Sequence, residues 1–442
     1  MSEVLGQRFV GYSILIAAMV FSRPMMAHRL AQKFFDEPWS AYVVGLVTLL
    51  LLGFWVVLCK RAIVVEKNRL KTTMCISLVL LYASLFWTFL QDSARTGMAY
   101  YEVVRAVLPY LEFGLLLVLF SKANLTNTKL KNFISATVIL LVMTVCIDSV
   151  FSYDFTRSPI SLGQAPREQG LASPRPGGIL GNRNYAGEYL GLAIGVFLAF
   201  VVNKVAFYWR LFLIPFAMAL VWTRSRTGWL AMACANAIFY WHVTPLNKRR
   251  NIHAFGLLVI GMMLAIFIPT TLHWGDTNPY GSSLSHLMDV DSGSGAYRKQ
   301  QYLETVRILA KSPWQGLGLG QWQRRLHAES TGLQVINRVP HSDYLRVAAD
   351  LGLMGAFAMF LLFCCMSLQA WQQRREFPET LAFMAALWLV CLADVPLYRV
   401  ESIALISAIF AFCMTPVPSI ENSEPLVFKN SDLYKMKDDA PS

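Results

Sequence analysis

Three short stretches combine residue types suited to acid–base and anion chemistry. Pro340-His341-Ser342-Asp343-Tyr344 closes a long polar segment at the start of a hydrophobic run. Histidine ordinarily changes charge near neutrality, which suits His341 to take or give a proton. Asp343, or Asp350 further along the same run, is placed to orient its ring, and the sequence leaves both open. Thr223-Arg224-Ser225-Arg226-Thr227-Gly228-Trp229 sets two arginines in a very short turn between apolar runs. Charges so placed are costly in a membrane and tend to be paired or functional. A helix begins at this turn, so its free N–H groups add to the attraction for an anion. Snorkelling of the arginines to lipid headgroups is the plainer alternative. Gly181-Asn182-Arg183-Asn184-Tyr185 opens another apolar run, where Asn182 and Asn184 are candidate helix caps beside Arg183. Arg105, one turn after Glu102, reads as an internal ion pair.

The elements that carry these stretches follow from composition. The chain has 442 residues, 55% hydrophobic and 15% charged, whereas soluble domains average about 25% charged. Long apolar runs recur throughout, which predicts an all-α polytopic membrane protein. Roughly twelve spans are expected, near 9–22, 40–59, 72–91, 100–121, 133–150, 182–203, 207–223, 227–244, 254–270, 344–368, 380–396 and 399–415. The start is not expected to be a cleaved signal, since no small-x-small site precedes Arg23-Pro24. The chain divides into helices 1–9 over residues 1–270, one large polar loop over 271–343, helices 10–12 over 344–416, and a polar tail over 417–442, read as disordered.

Orientation follows from lysine and arginine. With the N-terminus cytoplasmic, each predicted inner segment is basic, for example Lys60-Arg61 and Lys248-Arg249-Arg250. Both termini then lie in the cytoplasm, and the 271–343 loop lies on the outer face. Much of the net charge of +12 is therefore topogenic and does not call for nucleic acid. The predicted outer face is rich in arginine, whose planar fork suits phosphate and carboxylate oxygens. The eight cysteines all fall in apolar runs and form neither a disulfide framework nor a metal-ligand pattern. The seven histidines lack zinc-site spacing, so neither metal nor cofactor is expected. Within the outer loop, residues 296–310 predict a helix with Tyr297, Tyr302, Val306 and Leu309 on one side. Ser312-Pro313 ends it, and Gly316-Leu-Gly-Leu-Gly320 reads as a flexible turn.

Taken together these motifs resemble the O-antigen ligase and polymerase superfamily. His341-Ser342, then nine residues, then Gly352-Leu353-Met354-Gly355 is similar to its H-[NSQ]-x9-G-x-x-[GTY] signature. Ser225-Arg226-Thr227-Gly228-Trp229 resembles its S-R-x-x-W stretch, and Asn182-Arg183-Asn184 its G-N-x-N segment. Arg298 with Ser312-Pro313-Trp314-Gln315-Gly316-Leu317-Gly318 is similar to its R…hP-x-x-G-x-G stretch. The resemblance covers roughly residues 180 to 355. It implies a GT-C-like membrane glycosyltransferase, metal-independent, with its site on the periplasmic face of the bacterial inner membrane. The implied donor is an undecaprenyl-diphosphate-linked glycan, and membrane lipids surround the site. The acceptor implied for a ligase is lipid A–core, that for a polymerase a second lipid-linked glycan, and that for a protein O-oligosaccharyltransferase a serine or threonine. His341, Arg226 and Arg298 would then be catalytic, with Arg183, Arg224, Arg226 and Arg298 on the diphosphate. Asn182, Asn184, Asp343, Gly352 and Gly355 would support them. A lipid-linked glycan flippase is the alternative outside enzymes. It would place charges near the midplane and often show repeated halves, whereas here the charges gather at one predicted surface.

Overall fold

The computed structural model describes residues 69–94, 100–123, 127–151, 177–180, 182–203, 208–242, 245–272, 293–329 and 340–414, together with Leu50. The first two expected spans and the C-terminal tail lie outside the described residues, as do the side chains of Glu102 and Arg105. What is described is helical, without a strand. The elements are α1 (Arg69–Ala94), α2 (Tyr100–Ala123), α3 (Asn127–Phe151), a 3-10 turn (Gly178–Leu180), α4 (Arg183–Asn203), α5 (Tyr208–Leu211) and α6 (Leu213–Thr223). They continue as α7 (Arg226–His242), α8 (Pro245–Leu272), α9 (Gly293–Leu309), α10 (Trp322–Glu329), α11 (Asp343–Gln372), α12 (Pro378–Ala393), a second 3-10 turn (Pro396–Tyr398) and α13 (Val400–Met414). Five stretches are long and apolar enough to cross a membrane: Arg69–Gln91, Thr128–Val150, Arg183–Val202, Arg249–Ile266 and Asp343–Gln372. Three shorter helical stretches, Tyr208–Thr223, Pro378–Ala393 and Glu401–Met414, are also apolar.

The bundle is built around α4. Its apolar window is 94% buried, against 28% for the windows in α1 and α8, which leave one face for lipid. It packs against α7, α12 and α3, while α11 lies on α1, α8 on α6 and α13 on α2. Gly187, Gly191 and Gly195 recur every fourth residue along α4, the small-residue spacing that lets membrane helices approach closely. A Cβ on Gly187 would lie 2.3 Å from Ser225 Cβ, and one on Gly228 would lie 2.3 Å from Gly187 O. The N-terminal ends of α4 and α7 therefore meet backbone to backbone. Substituting leucine for Gly187 is expected to push them apart, at about 1–3 kcal/mol. A lower melting temperature of the detergent-purified variant would show it; an unchanged one would mean the ends are free to separate.

α11 is one apolar run broken at Gly352, whose φ is 69° and ψ −171°. In an unbroken helix the Leu353 N–H would pair with the Ala349 carbonyl four residues back. Both groups are instead paired with the turn between α9 and α10. Leu317 N–H donates to Ala349 O at 2.6 Å, and Leu353 N–H donates to Pro313 O at 2.8 Å. A Cβ on Gly352 would lie 2.1 Å from the Trp314 carbonyl oxygen, and one on Gly316 would lie 2.6 Å from Ala349 O. The turn expected to be flexible is thus pinned into the break, with Leu317 and Leu319 buried.

α9 occupies the stretch predicted for it but presents a different face. Gln301, Thr305, Ile308 and Leu309 are buried, and Val306 is 54% exposed. The polar residues turn inward because Trp322 Nε1 donates to Thr305 Oγ1 at 2.8 Å, beneath an apolar cluster of Ile308, Leu317, Leu326 and Ala349. An apolar count cannot foresee a face set by a buried indole–hydroxyl bond.

Candidate active site

The residue before α11 is held by the corner that follows α12. Ser342 is the N-cap of α11, and its hydroxyl donates to Cys391 O at 3.2 Å. Asp343 N–H donates to Asp394 O at 3.1 Å, and Leu397 N–H donates to Asp343 Oδ2 at 2.8 Å. These bonds fold the Asp394–Leu397 corner over the helix start. They bring Asp394 Oδ1 to 3.6 Å from His341 Nδ1. That is ion-pair range, longer than a hydrogen bond, and catalytic pairs in free enzymes are often this loose.

Neither of the two carboxylates that sequence proximity suggested orients the ring. Asp343 is fully buried and turned to Leu397, Cys391 and Arg346. Asp350 Oδ1 accepts from Gly320 N–H at 3.2 Å and so braces the loop turn. The helix explains this: Asp343 and Asp350 are inside α11, and their side chains leave it on the packed side, whereas Asp394 sits on a non-helical corner beside His341.

Asp394 is itself fixed. Its Oδ1 accepts from Val395 N–H at 2.8 Å and from Arg399 Nη2 at 2.7 Å. Burial pushes the Asp394 carboxyl up, but the Arg399 guanidinium, joined by His341 and Glu188, outweighs it and holds it well below the ordinary carboxylate range. Asp394 therefore stays ionised at working pH. The second arm of Arg399, Nη1, donates to Glu188 Oε2 on α4. Its guanidinium carbon lies 3.5 Å from the centre of the Tyr185 ring.

The loop helix closes over the same corner. Arg298 Nη1 donates to Ala393 O at 2.9 Å. The Tyr302 hydroxyl donates to the His341 carbonyl and lies 3.3 Å from the Leu392 carbonyl. Burial pushes that phenol up to about 12, with Arg298 opposing, so it remains a donor. His341 is one-quarter exposed and Arg298 half-buried.

The other expected residues stand at the paired starts of α4 and α7. Gly177 and Gly178 N–H groups donate to Asp148 Oδ2 at 2.9 and 3.1 Å, anchoring the entry to α4 on α3. Asn182 Oδ1 accepts from Asn184 N–H at 2.9 Å, so of the two asparagines Asn182 does the capping. Arg183 opens α4, half-exposed. Ser225 Oγ accepts from Gly228 N–H at 3.2 Å at the start of α7. Arg224 takes a left-handed backbone, φ 53°, at the end of α6 and is half-buried, while Arg226 is the exposed first residue of α7. The Trp229 indole N–H donates to Leu220 O at 3.0 Å and locks the turn. α4 joins the two groups. Tyr185 and Glu188 reach Arg399, and Gly187 and Gly191 reach the Ser225–Gly228 turn.

Two residues of this arrangement, Asp394 and Glu188, are absent from the sequence reading, which counts Arg399 among the arginines of the outer face without giving it a role. The signal was there. The corner between α12 and α13 is a short break between apolar helices, like the Thr223–Trp229 turn, and carries charges of both signs. Glu188 is a carboxylate within an apolar helix, which needs a partner.

These features define a membrane protein, helical throughout its described residues, with one polar cluster around His341 and Asp394 and a second at the starts of α4 and α7. Residues 211–360 match the family model described as O-Antigen ligase, so about a third of the chain is similar to that family. Members of that family are membrane glycosyltransferase-like enzymes. The matched stretch includes Arg226, Arg298, His341, Gly352 and Gly355; Glu188, Asp394 and Arg399 lie beyond it. No curated protein matches the chain.

Proposed function

We propose that this protein is an O-antigen ligase of the bacterial inner membrane, working at the periplasmic face. It transfers a glycan from undecaprenyl diphosphate to a sugar hydroxyl of lipid A–core without a metal. The observation that carries the reading is the His341 ring, with Nδ1 turned to an ionised Asp394 and Arg298 fastened one residue away. With Nδ1 facing the carboxylate, Nε2 is the nitrogen that takes the acceptor hydroxyl proton. The acceptor oxygen attacks the anomeric carbon as the bond to the diphosphate oxygen breaks, which inverts that carbon. The leaving diphosphate gains charge, and Arg226, Arg298, Arg183 and Arg224 neutralise it. The paired N-termini of α4 and α7 add their N–H dipoles.

Purified protein is given an undecaprenyl-diphosphate-linked glycan together with either lipid A–core or a second lipid-linked repeat. Product on lipid A–core supports the ligase reading. Longer lipid-linked chains would make it a polymerase using the same groups, and glycan on a protein acceptor an oligosaccharyltransferase. Absence of transfer to every acceptor would favour a flippase. Arg226→Ala is expected to lower the transfer rate about 10²- to 10³-fold, by analogy with loss of one oxyanion donor. A rate within about threefold of wild type would remove Arg226 from the diphosphate.

Transfer is also expected to fall as pH is lowered. Asp394 stays ionised because Arg399 holds its carboxyl low. A general base works only while its lone pair is free to accept the hydroxyl proton, so acid is expected to lower the rate. A pH–rate profile flat through the acidic side of neutrality would count against a histidine base.

A further inference from the structure

Glu188 lies within α4, the most buried of the five long apolar stretches, and its side chain is 1% exposed. A carboxylate at such a place needs a charged partner. It has one in Arg399, which holds Glu188 with Nη1 and Asp394 with Nη2. A guanidinium is a rigid plane with its N–H groups at fixed angles, so anchoring one edge sets the direction of the other. Tyr185, three residues before Glu188 on the same helix, covers the face of that plane. The remaining groups around the pair act on backbone. Arg298 bonds Ala393 O, Tyr302 bonds His341 O, and the Asp343 carboxylate is turned away to Leu397 N–H. The Asp394 carboxylate is held by the adjacent Val395 N–H, by Arg399 and by Glu188 itself, which also anchors Arg399.

We propose that Glu188 is a positioning residue, which through Arg399 aims Asp394 at His341 and ties that pair to the start of α4, where Asn182 and Arg183 stand. The inference rests on His341 acting in glycan transfer. It adds that the helix carrying donor-side groups also sets the geometry of the base.

The test uses full-length protein in nanodiscs and two readouts. The first is the kcat and KM of transfer. The second is the ring-nitrogen NMR signal of His341, assigned by its loss in His341→Ala, which needs no turnover. Glu188→Leu is expected to lower kcat about 10- to 100-fold, as removal of an orienting partner does elsewhere, with donor KM little changed and the His341 signal moved. Glu188→Gln keeps an acceptor for Arg399 and is expected to restore most of both. If Glu188→Leu does not fold, Arg399→Lys takes its place, because a point charge cannot hold both carboxylates in one plane. Wild-type kcat and an unmoved His341 signal in the folded variant would overturn the proposal, as would a loss confined to KM. If the wild type transfers to no acceptor, the functional reading fails by itself. The His341 signal then decides: moved by Glu188→Leu and restored by Glu188→Gln, the coupling stands; unmoved, it falls.

Discussion

Replacing His341 with alanine is expected to lower glycan transfer by about 10²- to 10⁴-fold, the range for a positioned general base. The fold should survive. The ring is partly exposed, and the bonds that shape this corner run through the His341 carbonyl, Ser342 and Asp343 rather than the imidazole. Asp394→Asn separates two roles. The amide keeps an oxygen for Val395 N–H and Arg399 but loses the charge that favours an imidazolium opposite. It is expected to fall nearly as far as His341→Ala in rate, and the double variant little further, because groups acting as one unit are not additive. Initial rates for the three proteins, beside their melting temperatures, test this. If the two losses multiplied, Asp394 would act independently of the histidine.

The largest effect on the fold is expected at Gly352. Valine there would face two costs. The backbone conformation, φ 69° and ψ −171°, is one that only glycine adopts readily, and forcing it costs about 1–3 kcal/mol. The added Cβ would also meet the Trp314 carbonyl oxygen at 2.1 Å, and that oxygen is main chain, with no rotamer by which to withdraw. The turn must then leave the break, and Leu353 N–H and Ala349 O lose the partners they have there. Each buried polar group left unpaired adds about 1–3 kcal/mol. Such a total rivals the whole stability of many domains. Gly352→Val is therefore expected to accumulate poorly, to expose residues 310–321 to protease, and to be inactive with His341 chemically intact. A variant with normal yield, protection and activity would mean that the turn and helix separate freely. A Cβ on Gly355 would in turn lie 2.3 Å from Leu351 Cβ, the fixed root of that side chain.

How much of this was legible in the sequence depends on the range of the physics involved. Apolar runs are local, so helices from residue 69 onward stand close to their expected places, and the turn at Thr223–Trp229 was identifiable by its charges. His341 was legible as a histidine at the end of a polar segment. Its carboxylate was not. Asp343 and Asp350 are nearer in the chain, yet helix geometry turns them inward, and Asp394 reaches the ring from more than fifty residues away. The α9 face was misread because a single indole–hydroxyl bond outweighs an apolar stripe. The x9-G spacing after His341 was visible as a pattern, but its cause was not. The glycine lies where α11 gives up its own hydrogen bonds to another part of the chain.

That exchange of bonds constrains any attempt to transplant the polar segment into another chain. The polar segment is not a module plugged into a finished membrane domain. Its turn completes the helix, and the helix completes its turn, since Leu317 and Pro313 occupy the places that Leu353 and Ala349 would fill for each other. A loop transplanted alone would arrive without its socket, and the recipient would be left with a socket cut for a different loop. The unit to exchange runs from α9 through Gly355, crossing what hydropathy marks as the border between loop and membrane.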